Sequence, residues 1–597
     1  MSSLSQTDRA DMRLELPSPP VSGYTTPTGH EDRPFFYPSA TSTAVNTPSG
    51  LEDKPFLFPS NALAKYASRL SERSDNGDEE KGRESEKEKE EEDNGLESRR
   101  PSDVVGELES YPIPEKKALT KVRMAILGLV MMSTTFVASA TSASTLLVIP
   151  SIAKDLGITE LQAQWITSAY SLANGCGLLL AGRVADLYGK KWLYMLGMIA
   201  YLVLSIVSGV IRNYVAICVV RAFAGLAISI SLPAAFGIIG VTFDAEPYRT
   251  MAFSALALGY PVGGGPGMII AGLVAGINHR AWQYTFFILA GMALVPIVLG
   301  FFTIPNDKVE ATPGGNRKID WLGAFLITVA LCLFTFALTQ SGLTAKGWGE
   351  PYIGTCVGIS VVLMIAFGFW EHIAETRTSI PPLVHLGIFS RHNWKVTSVL
   401  LLSFFGYTAI SGWLYLVTIW YQNLKGDRPI MNAVHILPAP IVGMIACILV
   451  PMLAPRVKAC YLLMLGGMCT ATAQLLFAVA PVDLTYWACE FLSNIFTPFG
   501  ADFTVGIGSV LISNLVSEDQ QAVGGALFQT ALQIASTVGV CISSLTETII
   551  TEQSGSLEKG LKDAFWMMAA FSWASMVIAF VTLRKTGLAK DIGKTQL

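Results

Sequence analysis

The chain has 597 residues, 51% of them hydrophobic and 15% charged, with a formal net charge of −4. The charge is unevenly placed: the first 120 residues carry −9 and the other 477 carry +5. So few charges over so long a body exclude an entirely water-soluble protein, and the composition equally excludes a collagenous or a disulfide-stapled secreted chain.

In chain order, residues 1–120 read as a disordered tail. From Ser71 to Arg100 about two-thirds of the residues are charged and almost none is apolar, too little to offset the entropy of ordering. Upstream, Thr26–Ser39 recurs as Thr47–Ser60 at an offset of 21 residues, with TP, G, ED and PF kept in place. Two copies do not make a solenoid. The repeat is open to two readings, a docking or phosphorylation motif for a kinase or trafficking partner, or neutral duplication. No early apolar stretch is present, so no cleaved signal peptide is expected.

After Lys116, Lys117, Lys121 and Arg123, apolar stretches of span length recur to the end. They cover approximately 125–150, 161–182, 191–211, 213–240, 250–277, 281–304, 321–341, 352–371, 395–421, 431–454, 459–480, 484–514, 521–546 and 564–583, fourteen spans in all. With the tail in the cytosol, inner loops hold twelve Lys and Arg and outer loops eight, and the bases flanking the first span and following the last also fall inside. Both termini are therefore expected in the cytosol. The nine cysteines, from Cys176 to Cys541, lie in or beside spans and form no C-x-x-C pair, so they read as small core residues.

Transporters, channels and membrane enzymes are the classes left. No phosphate loop of the G-x-x-x-x-G-K-[ST] kind occurs, there is no H-E-x-x-H, and no nucleophile-and-base motif is recognisable. No cofactor, metal or nucleic acid is called for. The partners expected are a small-molecule substrate, protons and the bilayer.

The loop after the second span reads Gly182-Arg183-Val184-Ala185-Asp186-Leu187-Tyr188-Gly189-Lys190-Lys191. Its glycines suit a tight helix-to-helix turn, Asp186 can cap the next helix, and Lys190 with Lys191 holds the loop on the cytosolic face. The segment resembles the signature between spans two and three of the major facilitator superfamily, with Leu187 where that family often has a base. Span four contains Arg221-Ala222-Phe223-Ala224-Gly225, similar to the family's R-x-x-q-G, and the resemblance implies that Arg221 takes part in proton coupling. From its depth alone Arg221 could equally be a structural charge tied to backbone carbonyls; an unpaired charge there would cost at least a few kcal/mol.

Span five reads Gly259-Tyr260-Pro261-Val262-Gly263-Gly264-Gly265-Pro266-Gly267 and is similar to the Gly/Pro motif of the superfamily's antiporters. Small residues there let helices approach closely and prolines bend them. Fourteen spans, with an additional pair at 321–341 and 352–371, resemble the drug:proton antiporter group of fungal multidrug, toxin and secondary-metabolite exporters. The segment from Pro498 to Leu527 is similar to the aminotriazole-resistance type. In that group the first span commonly carries an aspartate where this chain has Thr141, so a proton relay through that carboxylate cannot operate here.

The resemblance implies an all-α integral membrane fold of major facilitator type: a six-helix half over 121–304, a linker and two additional spans over 305–394, a second six-helix half over 395–583, and a short cytosolic tail over 584–597. It implies export of an apolar or amphipathic small molecule by proton antiport, at the plasma or the vacuolar membrane. Asp502 and Glu490, both in span twelve, join Arg221 as proton-coupling candidates. Thr141, Ser142, His435, Gln474, Gln529, Gln533, Trp413 and Tyr415 are cavity candidates; each could instead join helices by hydrogen bonds or sit in an interfacial aromatic belt. A facilitator or importer of a polar solute, and a non-transporting sensor, are the rival readings.

Overall fold

A computed structural model describes residues 120–588, apart from 244–246, 279, 307–317, 345–346, 379–380, 428 and 518–519. The tail, its repeat and the last nine residues lie outside the described residues. Among the described residues the chain is helical throughout, with no strand, as a chain crossing lipid must be if every backbone amide is to find a partner within its own segment.

The helices are α1 (Lys121–Leu156), α2 (Glu160–Tyr188), α3 (Lys190–Val210), α4 (Tyr214–Thr242), α5 (Tyr248–Ile277), α6 (Trp282–Thr303), α7 (Trp321–Leu343), α8 (Pro351–Arg377), α9 (Gly387–Ile419), α10a (Pro429–Ile436), α10b (Pro438–Leu453), α11 (Ala459–Val479), α12 (Glu490–Leu515), α13 (Gln521–Ser554) and α14 (Leu557–Leu583). By length and composition, thirteen helices among the described residues can cross a membrane, α10 counting as one. The fourteenth pass is α2, 29 residues long, whose polar residues lower its hydropathy.

Several helices outrun their apolar stretches. At 36 residues and 1.5 Å per residue, α1 exceeds the roughly 30 Å of hydrocarbon. Its ends are fixed by chemistry, with the Thr120 hydroxyl accepting the Arg123 amide and Gly157 closing the helix at φ 66°. Two differences from the sequence expectation concern prolines and turns. Span ten is jointed, because Pro438 and Pro440 supply no amides, and span twelve begins at Glu490, the preceding 481–489 being turns. Within α9, His392, Asn393 and Trp394 form a left-handed turn with φ of 52°, 58° and 63°.

The packing repeats itself. In the first half α1 packs on α5 and α6, α2 on α4, and α3 on α4 and α6. In the second, α9 packs on α13 and α14, α10b on α12, and α11 on α12 and α14, the same scheme with each number raised by eight. Contacts between halves obey the same exchange, since α2 meets α13 as α5 meets α10b, and α4 meets α13 as α5 meets α12. Two repeats related in this way can rock against each other around whatever lies between them. The additional helix α7 packs on α2 and α13, whereas α8 is covered mainly by α7 and most of its apolar residues face away from the rest of the chain.

Candidate functional site

Two regions of the interface between halves stand out, a sealed end and a cavity. At the sealed end the Asp186 carboxylate, at the end of α2, accepts the backbone amides of Ala522 at 3.2 Å and Val523 at 2.9 Å, and lies 3.1 Å from Lys190. These are unpaired amides of the first turn of α13, where a negative charge is favoured. The expectation that Asp186 caps the next helix is therefore corrected. The cap position of α3 is Gly189, with φ 107° and no side-chain bond, and the helix Asp186 serves is in the other half. Gly182 makes this possible, because a Cβ there would lie 2.6 Å from the Ala526 Cβ and 2.9 Å from the Ala522 carbonyl. Lys191 donates to the Ile304 carbonyl at 2.8 Å and to Asn306 at 2.9 Å, tying α3 to the end of α6. Arg249 completes the seal, donating to Asn514 at 2.7 Å and to the Gly240 and Phe243 carbonyls at 2.8 Å.

Toward the opposite end lies a cavity of about 310 Å³ between α5 of one half and α9, α10 and α12 of the other. Its wall is largely apolar and aromatic, including Tyr260, Met268, Tyr407, Trp413, Leu437 and Pro440. Asp502 is its one ionisable carboxylate among the described residues. Among the described residues no base forms an ion pair with it, and its neighbours are the Cys447 thiol and the Tyr407 phenol. A Cβ on Gly443 would lie 2.8 Å from the carboxylate and 3.1 Å from Pro261, so the α5 motif and Asp502 meet across one glycine.

The α5 motif uses two faces. Gly259, Gly263 and Gly267 bring the helix onto the backbone of α1, where any side chain would strike Met132, Phe136 or Ala140. Pro261, Gly264 and Gly265 face the cavity, with Gly265 against Pro440 and Pro266 bending the same turn.

The three charge candidates stand apart; among the described residues no hydrogen bond or ion pair joins any two of them. Arg221 is wholly buried in the first half. It donates to Thr145 at 3.2 Å and to the Ile166 carbonyl at 3.4 Å, and lies over Tyr170 at 4.4 Å and Phe286 at 5.4 Å. Such cation–π contacts are worth about 2 kcal/mol when desolvated and offset part of the cost of burial. Glu490, 3% exposed, accepts from Trp420 and Tyr421 at 3.0 Å and from Lys425 at 2.5 Å, donors that the π-turn Trp420–Leu424 places together.

Of the cavity candidates, Trp413 lines the space, its indole held by Ser493 at 3.1 Å, and Gln529 accepts from Tyr260 at 3.3 Å. Thr141 is bonded to Tyr201 and to the Val137 carbonyl, Ser142 to the Ala138 carbonyl, Tyr415 to Ser544, and Gln474 to the Ala409 carbonyl and Ser572. His435 is held between the Tyr421 and Tyr486 rings with Nδ1 3.3 Å from Asp427, and Gln533 packs at Gly175. Trp413, Trp420 and Tyr421 lie in the core of the second half and not in a lipid-facing belt. Sequence reasoning missed Tyr260, Tyr407 and Gly443, whose residue types carry no signal until the helices are assembled.

Two pseudo-symmetric six-helix halves, a latch at one end and a cavity between them describe a multi-pass membrane carrier. The chain belongs to the Major Facilitator Superfamily, whose model matches residues 131–540. It is 26% identical over 460 residues to the efflux pump terG of Aspergillus terreus, covering 75% of this chain and 84% of that one. It is 24% identical over 407 residues to the aminotriazole resistance protein of Saccharomyces cerevisiae, covering 68% and 73%. To the low affinity ammonium transporter of the same yeast it is 24% identical over 424 residues, covering 70% and 80%.

Proposed function

We propose that this transporter exports an apolar or amphipathic small molecule from the cytosol in exchange for protons, by rocking its two halves about the cavity between α5 and α9, α10 and α12. The observation that carries this reading is Asp502, the one carboxylate among the described residues lining a largely apolar, aromatic cavity, with no base paired to it there. Such a wall holds a ligand by area and shape. An unpaired carboxylate is costly to keep ionised while buried, so it takes a proton when sealed and gives it up when water reaches it. Export is supported by the efflux pump relative and by the Gly/Pro packing of α5. With both termini in the cytosol, the latch is the cytosolic gate and the cavity lies toward the outside. The plasma membrane is the location this reading favours.

The test is transport of an apolar fluorophore by reconstituted vesicles under an imposed pH gradient. Wild-type protein moves it against its gradient, and Asp502→Asn does not. Gradient-driven transport that survives this substitution rules out Asp502 as the coupling group. The second reading, a carrier of a polar solute, draws on the ammonium transporter relative. Uptake of ammonium or methylammonium indifferent to Asp502→Asn would favour it.

A further inference from the structure

The additional helices α7 and α8 have no part in the mechanism above, yet they hold a pair of buried carboxylates. Asp320, just before α7, is 2% exposed, and Glu371, in the last turns of α8, is fully buried. Asp320 is well supplied with donors: the Gly323 amide at 2.9 Å and the Trp370 indole at 2.9 and 2.8 Å to its two oxygens. Glu371 is poorly supplied: among the described residues neither oxygen makes a hydrogen bond of full geometry, and only the backbone amides of Leu383 and Val384 approach it. The two converge at Gly323, where a Cβ would press on Asp320 Oδ2 and lie 3.0 Å from Glu371 Oε1. Only a glycine leaves room for both.

The groups around Glu371 are few. Besides Asp320 they are Arg183 on α2 and the backbone amides of Leu383 and Val384, in the strap that leads to α9. On α8 itself His372, Glu375 and Arg377 are exposed, and Glu375 pairs with His385 of the strap at 3.8 Å. Lys318 precedes Asp320 and has interactions of its own. Of two neighbouring buried carboxylates, the one with fewer donors is the easier to protonate.

The pair also touches the latch. Leu383 and Val384 pack in one apolar cluster with Val523 and Ala526 of α13 and Leu179 of α2. Val523 gives its amide to Asp186, and Arg183 lies one turn before Asp186.

We propose that Glu371 is a proton-binding site, and that its proton, exchanged with water at the latch end, controls how firmly the latch closes. With the proton bound, Glu371 sits beside Asp320 without repulsion and the latch is as described. Once the proton leaves to water, the Glu371 carboxylate repels Asp320 and draws Arg183 and the strap amides toward itself, which loosens the seating of α13 against Asp186. The proposal rests on the carrier fold alone and not on Asp502 as the coupling group.

The test is made with Asp502→Asn present throughout, so that the cavity carboxylate contributes nothing. Spin labels are placed at Tyr188→Cys and Ser517→Cys, either side of the latch, in protein freed of its native cysteines. Raising the pH is expected to lengthen the distance between labels in otherwise unchanged protein and to leave it constant with Glu371→Gln. Asp320→Asn removes the like charge, so Glu371 gives up its proton more readily and the midpoint moves to lower pH, by roughly one unit. An infrared band of a protonated carboxyl is expected in the Asp502→Asn protein and should vanish with Glu371→Gln. Identical pH responses with and without Glu371→Gln overturn the proposal, as does absence of that band. Where Glu371→Gln fails to fold, an unmoved midpoint in Asp320→Asn overturns it equally.

Discussion

Asp186 and Val523, 337 residues apart, are joined by a 2.9 Å bond from the Val523 amide to the Asp186 carboxylate, which seats the start of α13 in one half on the end of α2 in the other. Because the acceptor is charged and the donor is a helix N-terminus, the bond is stronger than a neutral one, and Lys190 holds the carboxylate in place. Asp186→Asn keeps an acceptor and the side-chain shape but removes the charge. The latch is expected to lose about 1–2 kcal/mol, so that a cysteine placed at Ala522 is alkylated several-fold to thirty-fold faster from the latch side. An alkylation rate equal to that of the parent would show the charge to be idle.

Close approach at the latch depends on Gly182 in a way that glycine content alone does not. Gly182→Val would drive a branched side chain into Ala526 and the Ala522 carbonyl, whereas Gly354 on α8 has nothing within 4 Å of its Cβ position. Transport is expected to fall at least tenfold in Gly182→Val and to be unchanged in Gly354→Ala, at matched protein levels in vesicles. Equal activities would mean that α2 and α13 need not meet this closely.

Arg221 combines complete burial with no acidic partner among the described residues, its bonds going to one hydroxyl and one carbonyl. Replacing a buried charge by an apolar side chain of similar size is often neutral or stabilising. Arg221→Met is therefore expected to keep or raise the Tm in detergent while abolishing transport. A Tm that falls sharply along with transport would make Arg221 a structural charge.

The Lys425–Glu490 pair is a different case, since both partners meet inside a cluster of aromatic donors. The Glu490 side chain is 4% exposed and that of Lys425 20%, so the loss on Lys425→Met is expected to be about 2 kcal/mol, below the ~3–5 kcal/mol of a fully sealed pair. Adding Glu490→Gln should recover most of it. A double-mutant cycle of unfolding free energies reads the coupling directly, and additive losses would show that the pair is not coupled.

The spans and the two additional helices were legible because hydropathy is a local property, read within some twenty residues, and lipid forces such a stretch into a helix. The segment from Gly182 to Lys191 reads as a loop, but α2 runs on to Tyr188 and α3 starts at Lys190, so only the turn at Gly189, whose φ of 107° is where only glycine is at ease, was legible. Asp502 was legible as an acid within a span.

What Asp186 would bond to was not legible, because its partner is a backbone amide whose availability depends on where α13 begins and how the halves meet. Glu371 gave no sign either. Its position at the end of an apolar stretch suits a solvated carboxylate, and only the packing of α8 on α7 and the strap places it against Asp320. The candidate hydroxyls of α1 show the same limit, for Thr141 is bonded to Tyr201 and the Val137 carbonyl and Ser142 to the Ala138 carbonyl. Sequence by itself determined how many times this chain crosses the bilayer and which charges are left inside. The tertiary structure decided which of those charges meet a partner, because burial and pairing are properties of helices brought together and not of any one of them.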